Sequence, residues 1–183
     1  AYGFDDHKFK YGISGKWMVD KKNRLILSGG NRRDVEQIGA SLTTTNDVLG
    51  RSYASSGLFT TGANGKLTNI NLSTIAAEIE PVKNLTMQLG FSYRTLESAS
   101  DTFSLNYFND DTFTTTSSEV KQSEINLQAE YTPKRKTMGY GVERREVDSP
   151  YSRFFINYSQ GFKGLIDSDF DYQKLQLYYK QPI

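Results

Sequence analysis

The chain has 183 residues, and its 22 Lys and Arg nearly cancel its 21 Asp and Glu, so it carries no charge excess of the kind that nucleic acid or another strongly charged partner calls for. It has no Cys and a single His, which excludes disulfides, thiol chemistry and a zinc centre of the usual donor set. No apolar run approaches ~18 residues, which excludes a membrane helix but not a membrane strand, whose apolar residues stand only at alternate positions.

Ala1, Tyr2, Gly3 and Phe4 already read as the middle of a strand, with no signal peptide before them, as in a processed chain or an internal piece of a longer one. Over residues 8–19, Phe9, Tyr11, Ile13, Trp17 and Val19 share one parity while Lys8, Lys10, Ser14 and Lys16 share the other. A period of two predicts a strand. Asp20, Lys21, Lys22 and Asn23 form a short turn, and residues 24–31 the next strand, with Leu25 and Leu27 on one face. Residues 32–65 read as a long polar loop, with a helical turn at 33–38; a loop of this length is uncommon in a compact soluble domain.

Residues 67–96, LTNINLSTIAAEIEPVKNLTMQLGFSYRTL, organise the chain. Leu85, Met87, Leu89, Phe91 and Tyr93 point one way and Thr86, Gln88, Gly90, Ser92 and Arg94 the other. In the first half Ile70 and Leu72 lie on one parity and Ile75, Ala77 and Ile79 on the other, which predicts a bulge near Ser73 and Thr74. Glu80, Pro81, Val82, Lys83 and Asn84 read as the turn between two strands long enough to cross a membrane, where roughly 9–11 residues suffice.

Residues 98–118 form a second polar stretch rich in Thr, Ser and Asp. Residues 119–132 alternate again, with Ile125, Leu127, Ala129 and Tyr131 opposite Glu124, Asn126, Gln128 and Glu130. Pro133, Lys134, Arg135 and Lys136 make a basic turn facing solvent or headgroups, and residues 138–147 pair back as a strand through Met138, Tyr140 and Val142. Residues 152–162 carry Phe154, Ile156, Tyr158 and Phe162, and residues 171–180 carry Leu175, Leu177 and Tyr179. The pattern gives about eight antiparallel strands with short and long connections mostly alternating. With long loops outside, both chain ends fall on the extracellular side, which predicts an internal segment of a larger barrel, because open edges cannot face lipid. Leu85, Met87, Leu89, Phe91, Ile125, Leu127 and Ile156 are expected to contact lipid, and Trp17, Tyr93, Tyr131, Tyr158 and Tyr179 to form an interfacial girdle. In a sandwich the same aromatics would be core.

Little else in the sequence carries chemistry. His7 stands beside Asp5 and Asp6 and reads as a solvated loop residue rather than the base of a triad. Asp167, Ser168, Asp169, Phe170 and Asp171 resemble the start of a calcium loop, but Tyr172 stands where the glycine belongs and Tyr178 where the bidentate Glu belongs, so an inter-strand turn is expected. No phosphate loop or dinucleotide fingerprint occurs. Glu124, Glu130, Glu143, Arg144 and Arg94 fall on polar parities and read as a hydrated, salt-bridged barrel interior, with a substrate channel as the sharper version. No catalytic, cofactor-binding or metal residue is assigned.

Several segments resemble a known family: Lys10 to Gly15 (KYGISG), Ser28 to Gln37 (SGGNRRDVEQ), Tyr131 to Lys136 (YTPKRK), Ser152 to Gly161 (SRFFINYSQG) and Asp169 to Leu175 (DFDYQKL). Over nearly the whole chain they resemble the barrel region of a Bacteroidota outer-membrane family of uncharacterised function whose members carry a carboxypeptidase-regulatory-like domain ahead of a carboxy-terminal barrel. The resemblance implies an outer-membrane location and a longer parent chain, and no catalytic residues. The expectation is therefore an all-β fold, residues 1–183 being an internal segment of an antiparallel transmembrane β-barrel. Its expected role is non-enzymatic: structural, in transport or in envelope assembly, for instance as an accessory subunit of a larger outer-membrane complex. Its expected partners are outer-membrane lipid and other strands of the parent barrel or a neighbouring outer-membrane protein, not nucleic acid. Alternatives are a secreted soluble β-protein binding glycans or another protein, and a lipid-directed barrel enzyme, which the single histidine disfavours.

Overall fold

The computed structural model describes residues 9–37, 67–99, 105–108, 112–114, 116–147 and 151–182. In chain order the strands are β1 (Tyr11–Asp20), β2 (Leu25–Gln37), β3 (Leu67–Val82), β4 (Leu85–Ser98), β5 (Tyr107–Phe108), β6 (Thr116–Ser117), β7 (Glu119–Tyr131), β8 (Lys136–Met138), β9 (Arg145–Val147), β10 (Arg153–Gly161) and β11 (Tyr172–Lys180). Seven of them form one sheet in the order β1-β2-β3-β4-β7-β10-β11, and β5-β6 and β8-β9 are separate two-stranded pieces. All six ladders of the large sheet are antiparallel. Among the described residues β1 and β11 do not pair, so the sheet is an open meander rather than a closed cylinder.

The expected sixth span is absent. Residues 136–138 and 145–147 pair with each other, and β10 pairs directly with β7. The alternation of Met138, Tyr140 and Val142 is real, but the residues between them are Gly139 and Gly141, at φ 116° and 90°. That backbone suits a turn and glycine, not an extended strand. With one span removed, β1 starts at the long-loop end of the sheet and β11 finishes at the short-turn end, correcting the expectation that both ends share a side.

Three other corrections concern the long strands. β2 runs on to Gln37, so the part of the expected helical turn that is described is strand, with Arg32 to Gln37 paired to Leu72 to Leu67. Ile38, the loop beyond it and His7 lie outside the described residues. β3 shows no bulge near Ser73: its register with both neighbours is continuous from Thr68 to Glu78, and the irregularity in its pairing with β4 comes between Ile79 and Val82, where Pro81 cannot donate to a ladder. The turn narrows to Lys83 and Asn84, with Asn84 at φ 70°, a conformation asparagine tolerates better than most side chains. Ile70 and Leu72 change parity because they face the opposite side in an unbroken strand, where both are buried.

The registers align one outward row across all seven strands: Trp17, Leu27, Ala77, Leu89, Leu127, Tyr158 and Leu175. One row toward the short turns stand Ile79, Met87, Ala129, Ile156 and Leu177, and beyond them Val82, Leu85, Tyr131, Phe154 and Tyr179. Phe154 stacks near Tyr131 and Tyr179, with ring centroids 6.4 and 4.7 Å away. Toward the long loops the same face turns polar through Asn31, Arg33, Asn71, Ser73, Thr95, Lys121 and Ser123. Leu89 is 55% exposed and Leu177 72%, whereas Gln88, Asn126 and Asn157 on the other face are 3% or less. One face of the sheet is therefore apolar and exposed, and the other is largely polar and buried, with Ile26, Ile70, Leu72 and Phe155 as its buried apolar members.

Candidate functional site

The richest chemistry lies at the short-turn end of the polar face, beneath the β8-β9 hairpin. Glu80 is its centre. Because the strand kinks at Pro81, the Glu80 carboxylate folds back over the turn: Oε1 accepts the Asn84 N–H at 2.9 Å, and Oε2 accepts from Arg144 at 2.9 Å. Arg24 Nε and an Arg135 guanidinium nitrogen each stand 3.6 Å from the same carboxylate. Burial and the neighbouring Arg144 push the Arg24 guanidinium below its ordinary value, and Glu80 opposes the shift. Glu130 forms a second node, accepting from the Thr132 hydroxyl at 3.0 Å and lying 3.6 Å from Arg153 and 3.9 Å from Arg135.

The hairpin is strapped to this network. Arg24 donates to the carbonyls of Gly141 and Val142 at 3.1 Å each, Arg144 reaches Glu80, Arg153 binds Glu146 at 2.5 Å, and Lys16 binds Glu143 at 2.9 Å. At its base the Tyr151 hydroxyl accepts the Lys136 N–H and donates to the Val147 carbonyl. Between hairpin and sheet lies a cavity of about 210 Å³. Its lining includes the cations Lys16, Arg24, Arg135 and Arg144 and the carboxylates Glu78, Glu80, Glu130, Glu143 and Glu146. The near balance of sign gives it neither the character of an anion clamp nor that of a cation cage. Lys16, Arg24, Arg135 and Arg144 pair with Glu80, Glu130 and Glu143, and Glu146 pairs with Arg153, which makes the cluster a fastening between hairpin and sheet.

A second polar cluster lies nearer the long loops. The Tyr172 ring covers Gly161, where an added Cβ would sit 2.3 Å from a ring carbon, and its hydroxyl donates to Glu124. Arg94 donates to Gln122 at 2.5 Å, and Asn126 donates to both Asn157 and Ser159. Of the residues read as interior, Glu130, Glu143 and Arg144 thus meet in one cluster, and Glu124 lies in the other. Glu143 and Arg144 arrive from the hairpin rather than from a spanning strand. Sequence reasoning missed Glu80, Arg24, Arg135, Glu146 and Arg153. Arg135 turns inward from its basic turn, with its side chain 14% exposed, while Lys134 stays out. The readable signal was a glutamate before a proline at a strand end, with arginines in turns at the same end.

The region 167–171 behaves as a turn. Asp169 accepts the Lys121 N–H at 2.6 Å, Ser168 Oγ the Ser123 N–H at 3.0 Å, and Asp171 the Lys163 N–H. Among the described residues no group of three His, Cys, Asp or Glu is arranged to hold a metal ion, and no helix is long and apolar enough to cross a membrane.

No curated protein and no solved structure matches this chain. A family model does, over residues 1–183, and it is described as the C-terminal domain of a family of unknown function, DUF5686. The chain belongs to that family.

Proposed function

We propose that this chain is part of the wall of an outer-membrane β-barrel, non-enzymatic, with a structural, transport or envelope-assembly role. The observation that carries this reading is the inverted distribution of polarity. Leu89, Leu127 and Leu175 stand exposed in mid-sheet while Gln88, Asn126 and Asn157 are buried behind them. In water that arrangement costs free energy on both faces. In a bilayer, lipid satisfies the outer face and a hydrated, ion-paired interior the inner one. The partners are outer-membrane lipid and strands completing the wall, from the parent barrel or a neighbouring outer-membrane protein. A role as an accessory subunit of a larger envelope complex fits the same geometry.

The test is spin-label accessibility on the full-length protein purified from membranes. Labels at Leu89 and Leu127 should meet apolar oxygen and not water-soluble quencher, and labels at Gln88 and Gln128 the reverse. Water at Leu89 with a detergent-independent, monodisperse protein would instead favour the soluble glycan- or protein-binding alternative.

A further inference from the structure

Strand direction restricts what lies beside the two open edges. Seven strands joined by six antiparallel ladders leave β1 and β11 running the same way. Closing β1 directly on β11 would make a parallel seam in a sheet that otherwise has none. A second copy of the chain in the same membrane orientation has the same defect, because rotation about the membrane normal preserves strand direction. An antiparallel closure therefore takes an odd number of further strands.

The inner face sets how many. An eight-stranded barrel has an interior that side chains alone fill. Here the inner face already carries a main-chain hairpin: Arg24 binds the carbonyls of Gly141 and Val142, and the cavity beneath reaches Gln88 and Gln128, well inside the sheet. One added strand leaves no room for it.

We propose, resting on the membrane-barrel reading above, that β1 and β11 are bridged by an odd number of antiparallel strands, three or more. These strands come from the parent polypeptide outside the described residues and close a barrel of ten or more strands around the β8-β9 hairpin. The family description as a C-terminal domain favours the same polypeptide as their source.

The test is dipolar distance measurement on full-length protein in the membrane, with one label on β1 (Tyr11→Cys, Ile13→Cys or Trp17→Cys) and one on β11 (Leu175→Cys, Leu177→Cys or Tyr179→Cys). Because the tilt and shear of a closed barrel offset the two edges along the strands, the closest pair of the scan, not a register row, reports their separation. Along the wall three intervening strands separate the two backbones by about 19 Å, which curvature shortens to about 15 Å across the barrel, whereas one strand gives about 10 Å and direct closure about 5 Å. A shortest distance of about 15 Å or more, unchanged on dilution with unlabelled protein, is the expected result. Either shorter distance overturns the proposal, and so does a short distance that vanishes on dilution, which would mark a seam between copies. A third label at Leu89 separates the two readings: lipid exposure there with a short β1–β11 distance sinks the strand count alone, and water exposure there sinks the membrane reading itself.

Discussion

Glu80 is the residue on which the inner network turns, since three arginines share its carboxylate and its side chain is only 12% exposed. Removing one partner of a buried ionic group leaves the others uncompensated, at a cost of about 3–5 kcal/mol. Glu80→Ala should destabilise by that order in a denaturant titration in detergent, while Glu80→Gln, which keeps the acceptor for the Asn84 N–H, should cost less. Glu143 is the control. Its pair with Lys16 is exposed, so Glu143→Gln should change stability by under about 1 kcal/mol. If the two positions respond alike, the network is not the fastening described. On the opposite face, Leu89→Arg should cost roughly 2–4 kcal/mol in a bilayer refolding assay, and Gln88→Arg much less, because on the proposed membrane-barrel reading only the first puts a guanidinium into lipid. Equal penalties would mean that both faces are wet or both are packed.

At the scale of elements, the sequence made the long strands of the sheet legible because each sets one apolar parity against one polar one, as Leu85 to Tyr93 does. It misled where alternation served something else. Met138, Tyr140 and Val142 alternate with glycines that turn the chain, and no local signal says that Arg144 will meet Glu80, 64 residues away. The far end of β2 hid for a different reason: Arg32, Arg33 and Asp34 are charged on both parities, so alternation has nothing to report where the strand continues. Losing the false strand also repairs the alternation of connections. Residues 132–147 fold back at the short-turn end, and 162–171, with its 3-10 turn at Leu165–Asp167, lies at the long-loop end. Sidedness follows. On whole cells an impermeant thiol reagent should label Lys163→Cys at the long-loop end and spare Lys83→Cys in the β3-β4 turn. Thr44 lies outside the described residues, so Lys163 is the better reporter. Labelling of Lys83→Cys alone would invert the topology.

For the whole molecule, the shape of the apolar band carries an orientation. Across β4, β7, β10 and β11 its upper boundary is Tyr93, Ile125, Tyr158 and Leu175. On β2 and β3 it stands lower than on β4, at Leu27 and Ile75, and on β1 it reaches Ile13 and Tyr11, so the slope belongs to the β4-to-β11 half of the sheet. Tyr158 and Leu175 share the register row of Leu89, four residues below Tyr93. Over three strand steps the boundary thus descends by about 13 Å along the strands against about 14 Å across them. A band set flat against a bilayer then requires strands inclined by roughly 40–45°, within the range that closed barrels impose through their shear. Polarised infrared dichroism of the full-length protein in oriented bilayers should therefore give a mean strand tilt of about 40° from the membrane normal. An angle near zero would mean that the diagonal is accidental. An angle near ninety would lay the sheet flat on the surface, with the charged inner face and its hairpin turned to water rather than enclosed.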